Sequence, residues 1–183
     1  MEDPGATIQP YFRSIVGVPN LTSAALQRVV ADTFGWTPIT LPTSPEQLAR
    51  QLAAVGPVAW AFYFAKENVC VILSPRNPDL LMKYEAERKP AWRRLPYAIL
   101  HRYLIDEVIA PKFLGGETPT IHYHKTMQEA IDEAGAGGGI GILMPATTMT
   151  QLRDICTAGE LMPQKSTYFY PKLATGMVIN PLY

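Results

Sequence analysis

The chain has 183 residues, which is enough for one domain or two small ones with a buried core. Its 16 lysines and arginines balance 16 aspartates and glutamates, and charged residues make up 17% of the chain, against about 25% in an average globular domain. This composition argues against a strongly basic nucleic-acid binder and against an acidic disordered tail, so nucleic acid is an unexpected partner.

The cysteines and the apolar runs favour a cytoplasmic protein. Cys70 and Cys156 lie in apolar stretches, with no C-x-x-C spacing and no secretory leader before them. This pattern predicts two buried, reduced thiols, and a disulfide between them is the alternative. The longest uncharged apolar run, residues 55–65, is shorter than the roughly 20 residues that a membrane helix needs, so no membrane span is expected.

The first third of the chain predicts an extended entry and two helices. Residues 1–19 contain three prolines and no helical period, which indicates an extended segment or strand. A helix then begins at Thr22 or Ser23 and ends at Gly35, with one apolar face made of Leu26, Val29, Val30 and Phe34. A second helix follows Ser44 and ends at Gly56, with Pro45 in its first turn and an apolar face made of Leu48, Leu52 and Val55.

Strands and helices alternate in the remainder. Residues 58–65 and 69–73 predict a hairpin of two buried strands, and the proline-rich residues 75–96 predict a long surface excursion with one helical turn at 79–84. Residues 97–113 predict a helix that buries Leu100, Leu104 and Val108. The next elements are a strand at 120–123, a helix capped by Thr126 up to Ala134, a flexible glycine connector at 135–141, a strand at 140–144, a helix from Thr147 or Thr148 to Gly159, and a terminal strand at 173–182.

This order predicts an α/β fold in which a hairpin precedes a β-α-β-α-β run and helices cover a mixed sheet.

One segment near the end of the chain has a specific resemblance. Residues 162–176 read MPQKSTYFYPKLATG, and this run resembles the carboxyl-terminal signature of a bacterial and archaeal family called domain of unknown function 1015. Elements upstream of it, such as the run Leu143-Met144-Pro145, fall where that family places comparable ones. The resemblance covers nearly the whole chain, so residues 1–183 are expected to form a single domain.

The resemblance also implies that the chain is a truncated member of that family, which corresponds to the carboxyl half of its relatives. Relatives usually carry an amino-terminal half with its own His- and Arg-containing motifs, and they often have a His-Arg pair where this chain has Phe12-Arg13. The chain could therefore be a shortened product, a fragment, or one part of a split protein whose partner subunit supplies the amino-terminal half.

The same terminal segment contains the candidate ligand site. Lys165, Ser166, Thr167 and Lys172 place two ammonium groups and two hydroxyls within eight residues, which suits an anion such as phosphate or carboxylate. The aromatic side chains of Tyr168, Phe169 and Tyr170 could form a wall of the same pocket. In the alternative interpretation the hydroxyls cap a turn, the tyrosines fill the core and the lysines are solvated.

Two histidines give a weaker signal. His122 and His124 alternate, so on a strand both point to one face and could chelate a metal ion. No third ligand is visible nearby in the sequence, and two exposed imidazoles are the preferred interpretation, so no metal site is assigned and the cofactor stays unknown.

These patterns favour a small-molecule-handling protein that binds a phosphate- or carboxylate-bearing metabolite, with phosphotransfer as the finer hypothesis. Whether the chain is an enzyme is left open. The alternative is a non-catalytic interaction domain that packs against a separately encoded amino-terminal half.

Overall fold

A six-stranded antiparallel sheet forms the centre of the fold in the computed structural model, which describes residues 7–172. Its strand order is β3-β5-β4-β7-β2-β6, and a separate two-stranded antiparallel ribbon joins β1 to β8. The strands are β1 Thr7–Gln9, β2 Phe12–Val16, β3 Phe34–Ile39, β4 Trp60–Phe64, β5 Val69–Pro75, β6 Thr120–His124, β7 Ile140–Leu143 and β8 Tyr168–Tyr170.

The helices connect these strands and cover both faces of the sheet. They are α1 Ser23–Val30, α2 Pro45–Val55, a 3-10 helix Leu80–Lys83, α3 Pro90–Arg93, α4 Pro96–Ile99, a π-helical segment Leu100–Ile109, α5 Ala110–Phe113, α6 Met127–Gly137 and α7 Met149–Thr157. The expected α/β class, with helices covering a sheet, is confirmed. A mixed sheet was expected, but each described strand pair is antiparallel.

Alternation along β2 separates two apolar clusters, one on each face of the sheet. Ile15 packs into the cluster that contains the helical residues 96–109, whereas Phe12 packs into the cluster that contains Leu48 of α2 and Ala130 of α6. Successive side chains of a strand point to opposite faces, so Arg13 lies on the face of Ile15 and Ser14 on the face of Phe12. Two polar side chains of one strand are thereby directed toward different surroundings.

Local sequence signals set the helix ends that were predicted. The Ser44 hydroxyl accepts from the Gln47 amide at 3.2 Å, and the Gly56 amide donates to the Leu52 carbonyl, so α2 begins and ends where expected. The Thr126 hydroxyl accepts from the Glu129 amide at the start of α6, and the Glu129 carboxylate in turn accepts from the Thr126 amide. The predicted hairpin is confirmed as β4 and β5, and residues 80–83 form the predicted helical turn of the excursion, which also contains the short helix α3 that was not predicted.

The stretch after α1 differs from the prediction. The helix ends at Val30, Val29 is 42% exposed, and Phe34 begins β3 instead of completing a helical face. β3 lies at the edge of the sheet and contains Pro38. An edge strand tolerates a proline because one side of its backbone needs no ladder partner, which the local pattern could not reveal.

The glycine-rich stretch is ordered into regular structure instead of forming a flexible connector. α6 continues through Gly137, Gly138 adopts a left-handed φ of +56°, and β7 begins at Ile140. A Cβ on Gly139 would lie 2.1 Å from the Ile15 carbonyl oxygen. The glycines therefore allow a tight turn to pass against the backbone of β2.

The long helix, the two cysteines and the terminal strand were also predicted from the sequence. The helix at 97–113 is present and buries Leu100, Leu104 and Val108, although its middle is π-helical, as shown by the Ala110 amide bonding to the Ile105 carbonyl. Both cysteines are free thiols, but Cys156 is exposed, contrary to the prediction. The terminal strand predicted at 173–182 lies outside the described residues.

Candidate functional site

The predicted ligand loop, residues 165–172, follows α7 and contains β8. Lys165 is exposed and has a left-handed φ of +54°, which is uncommon for a residue with a side chain. The Ser166 side chain is buried: its hydroxyl donates to the Pro163 carbonyl at 2.6 Å, and its own carbonyl accepts from the Thr147 hydroxyl at 2.6 Å. The Ser166 hydroxyl therefore acts inside the loop and stabilises its turn.

The remaining predicted residues follow along the ribbon. Thr167 is half-buried, Tyr168 begins β8 and is half-buried, and Tyr170 is 53% exposed. Lys172 is exposed and lies beyond Pro171, which follows a cis peptide bond. Of the predicted set, Lys165 and Tyr168 come together with two residues from distant parts of the sequence.

We call those four residues the tyrosine–lysine cluster: Tyr11, Lys125, Lys165 and Tyr168. The two tyrosine rings are 5.4 Å apart between centroids. The Lys165 ammonium lies 5.6 Å from the centre of the Tyr11 ring, and the Lys125 ammonium lies 5.8 Å from the centre of the Tyr168 ring. Each cation is thus within cation–π range of one ring, and the rings adjoin each other.

Strand pairing explains how the cluster assembles. The β1–β8 register sets Gln9 opposite Tyr168, and Gln9 lies two residues before Tyr11 in the chain. The β2–β6 register sets Phe12 opposite His124, which precedes Lys125. The positions before β2, after β6 and at the start of β8 therefore meet at one end of the sheet. Tyr11 and Lys125 were missed from sequence because this meeting depends on strand order.

Arg13 lies beneath the loop and is fully buried. Its Nε donates to His101 Nε2 at 2.9 Å, one terminal nitrogen donates to the Tyr11 carbonyl at 2.8 Å, and the other donates to the Lys165 carbonyl at 3.1 Å. The guanidinium also lies over the rings of Tyr97 and Tyr123, at 4.9 and 5.1 Å. These three acceptors are neutral, so none of them cancels the charge of the guanidinium.

Burial and the charge of Arg13 set the protonation state of His101. Burial lowers the pKa of Arg13 to about 10, so the guanidinium stays protonated at neutral pH. Burial, and then the charge of Arg13, lower the pKa of His101 to about 4. His101 is therefore neutral at pH 7 and offers an unprotonated nitrogen to Arg13.

The two alternating histidines contact a carboxylate that the sequence did not identify. Glu133 of α6 lies 2.5 Å from His122 Nδ1 and 2.8 Å from His124 Nε2, and it also accepts from the Ser14 hydroxyl. That hydroxyl bond, followed by the contact with His122, lowers the pKa of Glu133. Within residues 7–172, no group of three or more His, Cys, Asp or Glu side chains is arranged to hold a metal ion.

An apolar cleft of about 420 Å³ lies on the Phe12 face of the sheet, bounded by α2 and the residues after β7. Its lining residues are apolar, among them Phe12, Leu48, Leu52 and Pro145. An anion has no charged partner in that lining. The tyrosine–lysine cluster is therefore the better candidate for the predicted anion. No helix of the described residues has the length and apolar content to cross a membrane.

Comparison with known proteins adds a likeness of fold. No family model and no curated protein matches the chain. The chain is similar to a mutant free serine kinase solved in complex with AMP, at a TM-score of 0.51 and 12% identity, covering 92% of this chain and 55% of that one. It is also similar to a conserved hypothetical protein from Pyrococcus furiosus, at a TM-score of 0.50 and 15% identity, covering 92% and 57%.

At these identities the similarity shows the fold alone. The chain spans just over half the length of both solved structures.

Proposed function

We propose that the protein binds a small metabolite bearing a phosphate or carboxylate group at the tyrosine–lysine cluster. The observation that carries this proposal is the pairing of the Lys165 and Lys125 ammonium groups with two adjoining tyrosine rings. An ammonium group has three donors and can contact a ring while it still donates to an anion. The residues that bind this anion are Lys165 and Lys125, with Thr167 and Lys172 of the adjacent loop as further donors.

Phosphate is the anion to test first. The similar solved structure that contains AMP shares the fold, and its bound nucleotide carries a phosphate. Two lysines also suit a doubly charged group better than a carboxylate, because each ammonium neutralises one charge. The fold likeness is support of a general kind and assigns no residue of this chain to a ligand.

Calorimetric titration with inorganic phosphate at pH 7.5 and low salt tests the binding proposal. We expect millimolar affinity, and we expect Lys165→Ala and Lys125→Ala each to weaken it about fivefold to tenfold, which is the loss of one charge-assisted contact. Raising the ionic strength should weaken binding further.

Lys83→Ala is the matched control, because the Lys83 ammonium also lies 5.8 Å from a tyrosine ring, that of Tyr84. This variant should leave phosphate affinity unchanged. Unchanged affinity in both Lys165→Ala and Lys125→Ala, with unchanged melting temperatures, would contradict the cluster as the site.

Phosphotransfer is the finer part of the proposal. Lysine ammonium groups can neutralise the charge that a transferred phosphoryl group spreads over its oxygens. Since one similar structure is a free serine kinase, the first assay is phosphoserine formation from ADP or ATP and free serine. Turnover that Lys165→Ala reduces would support transfer. Nucleotide binding without turnover would restrict the function of this chain to binding.

Membership of the family called domain of unknown function 1015 is likewise our proposal. It rests on the run at residues 162–176, and the match to just over half of two solved structures agrees with a chain that corresponds to one half of a longer relative.

An interaction domain is the second candidate, and the β1–β8 ribbon favours it. The ribbon has two strands separate from the main sheet, and Phe169 and Tyr170 are 38% and 53% exposed on it. A two-stranded ribbon is marginally stable without further packing. Measurement of the mass in native solution tests this candidate, and a monomer that binds neither phosphate nor any protein partner would contradict both candidates.

A further inference from the structure

The ligand loop has a backbone conformation that needs external support. Lys165 has a φ of +54°, a region in which a Cβ crowds the following carbonyl and which glycine adopts far more readily. Two side chains from distant elements hold the loop there. Arg13 donates to the Lys165 carbonyl, and Thr147 donates to the Ser166 carbonyl.

Arg13 is itself fixed on every side. It belongs to an interior strand of the sheet, because β2 pairs with both β6 and β7. The rings of Tyr97 and Tyr123 and the imidazole of His101 hold the guanidinium in place. The bond to Lys165 therefore joins an exposed loop to a rigid, buried group.

We propose that Arg13 is a positioning residue that sets the backbone of Lys165 so that its ammonium group lies over Tyr11 and meets the anion. This inference rests on the proposed function of the tyrosine–lysine cluster. The guanidinium also bonds the Tyr11 carbonyl, so one side chain fixes both members of the Lys165–Tyr11 pair. Its charge faces neutral acceptors and adds to the attraction for an anion at the loop.

A double-mutant cycle between Arg13 and Lys165 tests this role. Arg13→Lys keeps the charge but loses the planar fork that reaches three acceptors at once. We expect Arg13→Lys to weaken phosphate binding roughly fivefold in the wild-type background and to have no further effect in the Lys165→Ala background, because Arg13 acts through Lys165. A merely structural role would weaken binding equally in both backgrounds.

Arg93→Lys is the matched control. Arg93 is 7% exposed and also donates to backbone carbonyls, those of Ala86 and Arg88, within the excursion at 75–96. This variant should lower the melting temperature and leave phosphate affinity unchanged. If Arg13→Lys does not fold, Thr147→Val replaces it, and the same loss of affinity and the same non-additivity with Lys165→Ala are expected.

The outcomes separate this inference from the function on which it rests. Wild-type protein that binds no phosphate overturns the binding proposal and this inference together. Phosphate binding that is weakened by Lys165→Ala but not by Arg13→Lys overturns this inference alone. Equal losses from Arg13→Lys in both backgrounds, or an equal loss from Arg93→Lys, also overturn it.

Discussion

His101 makes the stability of the protein depend on pH. Arg13 Nε donates to His101 Nε2 at 2.9 Å, which requires that nitrogen to be unprotonated. Burial and the neighbouring guanidinium lower the pKa of His101 from its ordinary value of 6.5 to about 4. In the unfolded chain the imidazole regains a pKa near 6.5, so the unfolded state binds a proton at a higher pH than the folded state.

The sign and the size of the effect follow from these two values. Stability from neutral His101 is fully present above pH 6.5 and is lost as the pH falls from 6.5 toward 4, because only the unfolded state takes up the proton in that range. At pH 5 the unfolded imidazole is almost fully protonated while the folded one is about 90% neutral. This difference lowers the free energy of unfolding by about 2 kcal/mol relative to pH 8.

Urea unfolding at several pH values between 8 and 5, followed by tryptophan fluorescence, measures the effect. Trp60 is fully buried and reports on the sheet. His101→Gln is the comparison, because an amide oxygen can accept from Arg13 and does not titrate. The carboxylates titrate in both proteins, so subtraction removes their contribution.

From pH 8 to pH 5, we expect the free energy of unfolding of the wild type to fall by about 2 kcal/mol more than that of His101→Gln. Parallel pH profiles would refute the assignment of a buried, neutral His101 beside Arg13.

Three further predictions test the turn, the loop and a helix cap by measured unfolding free energies. Gly139→Ala should lower the free energy of unfolding by roughly 3 kcal/mol, because the added Cβ would meet the Ile15 carbonyl oxygen. Gly138→Ala should lower it by about 1 kcal/mol, since the φ is left-handed there and the added Cβ would meet only a flexible lysine side chain. Equal losses would contradict the close backbone approach at Gly139. Lys165→Gly should be about 1 kcal/mol more stable than Lys165→Ala at the φ of +54°, while both lose phosphate affinity alike; a more stable alanine variant would argue against that conformation. Thr126→Ala should cost about 1 kcal/mol by removing the cap of α6, and Thr126→Ser should restore most of it.

The composition of residues 165–172 predicted part of the candidate site. It predicted a cationic segment with hydroxyls and aromatic rings, and the structure places Lys165 and Tyr168 in one cluster. It left open whether the hydroxyls bind a ligand or cap a turn, and the Ser166 hydroxyl does the latter by donating to the Pro163 carbonyl. A hydroxyl can satisfy either a ligand or its own backbone, and sequence alone does not distinguish the two.

Local chemistry by itself determined α2, the start of α6 and the hairpin of this protein. Ser44 before Pro45, the capping residue Thr126 and the apolar run around Trp60 act within a few residues, so their signals are readable in order along the chain. The α/β class follows from the alternation of those elements.

Tertiary structure alone decided the site. Tyr11 and Lys125 are separated by more than a hundred residues, and both lie against Tyr168 because β2 pairs with β6, and β1 with β8, in one particular register. The burial of Arg13 between two tyrosine rings, and the approach of Glu133 to both histidines, depend on the same strand order. Register and strand order are set by the packing of the whole sheet against its helices, and no short stretch of sequence contains that information.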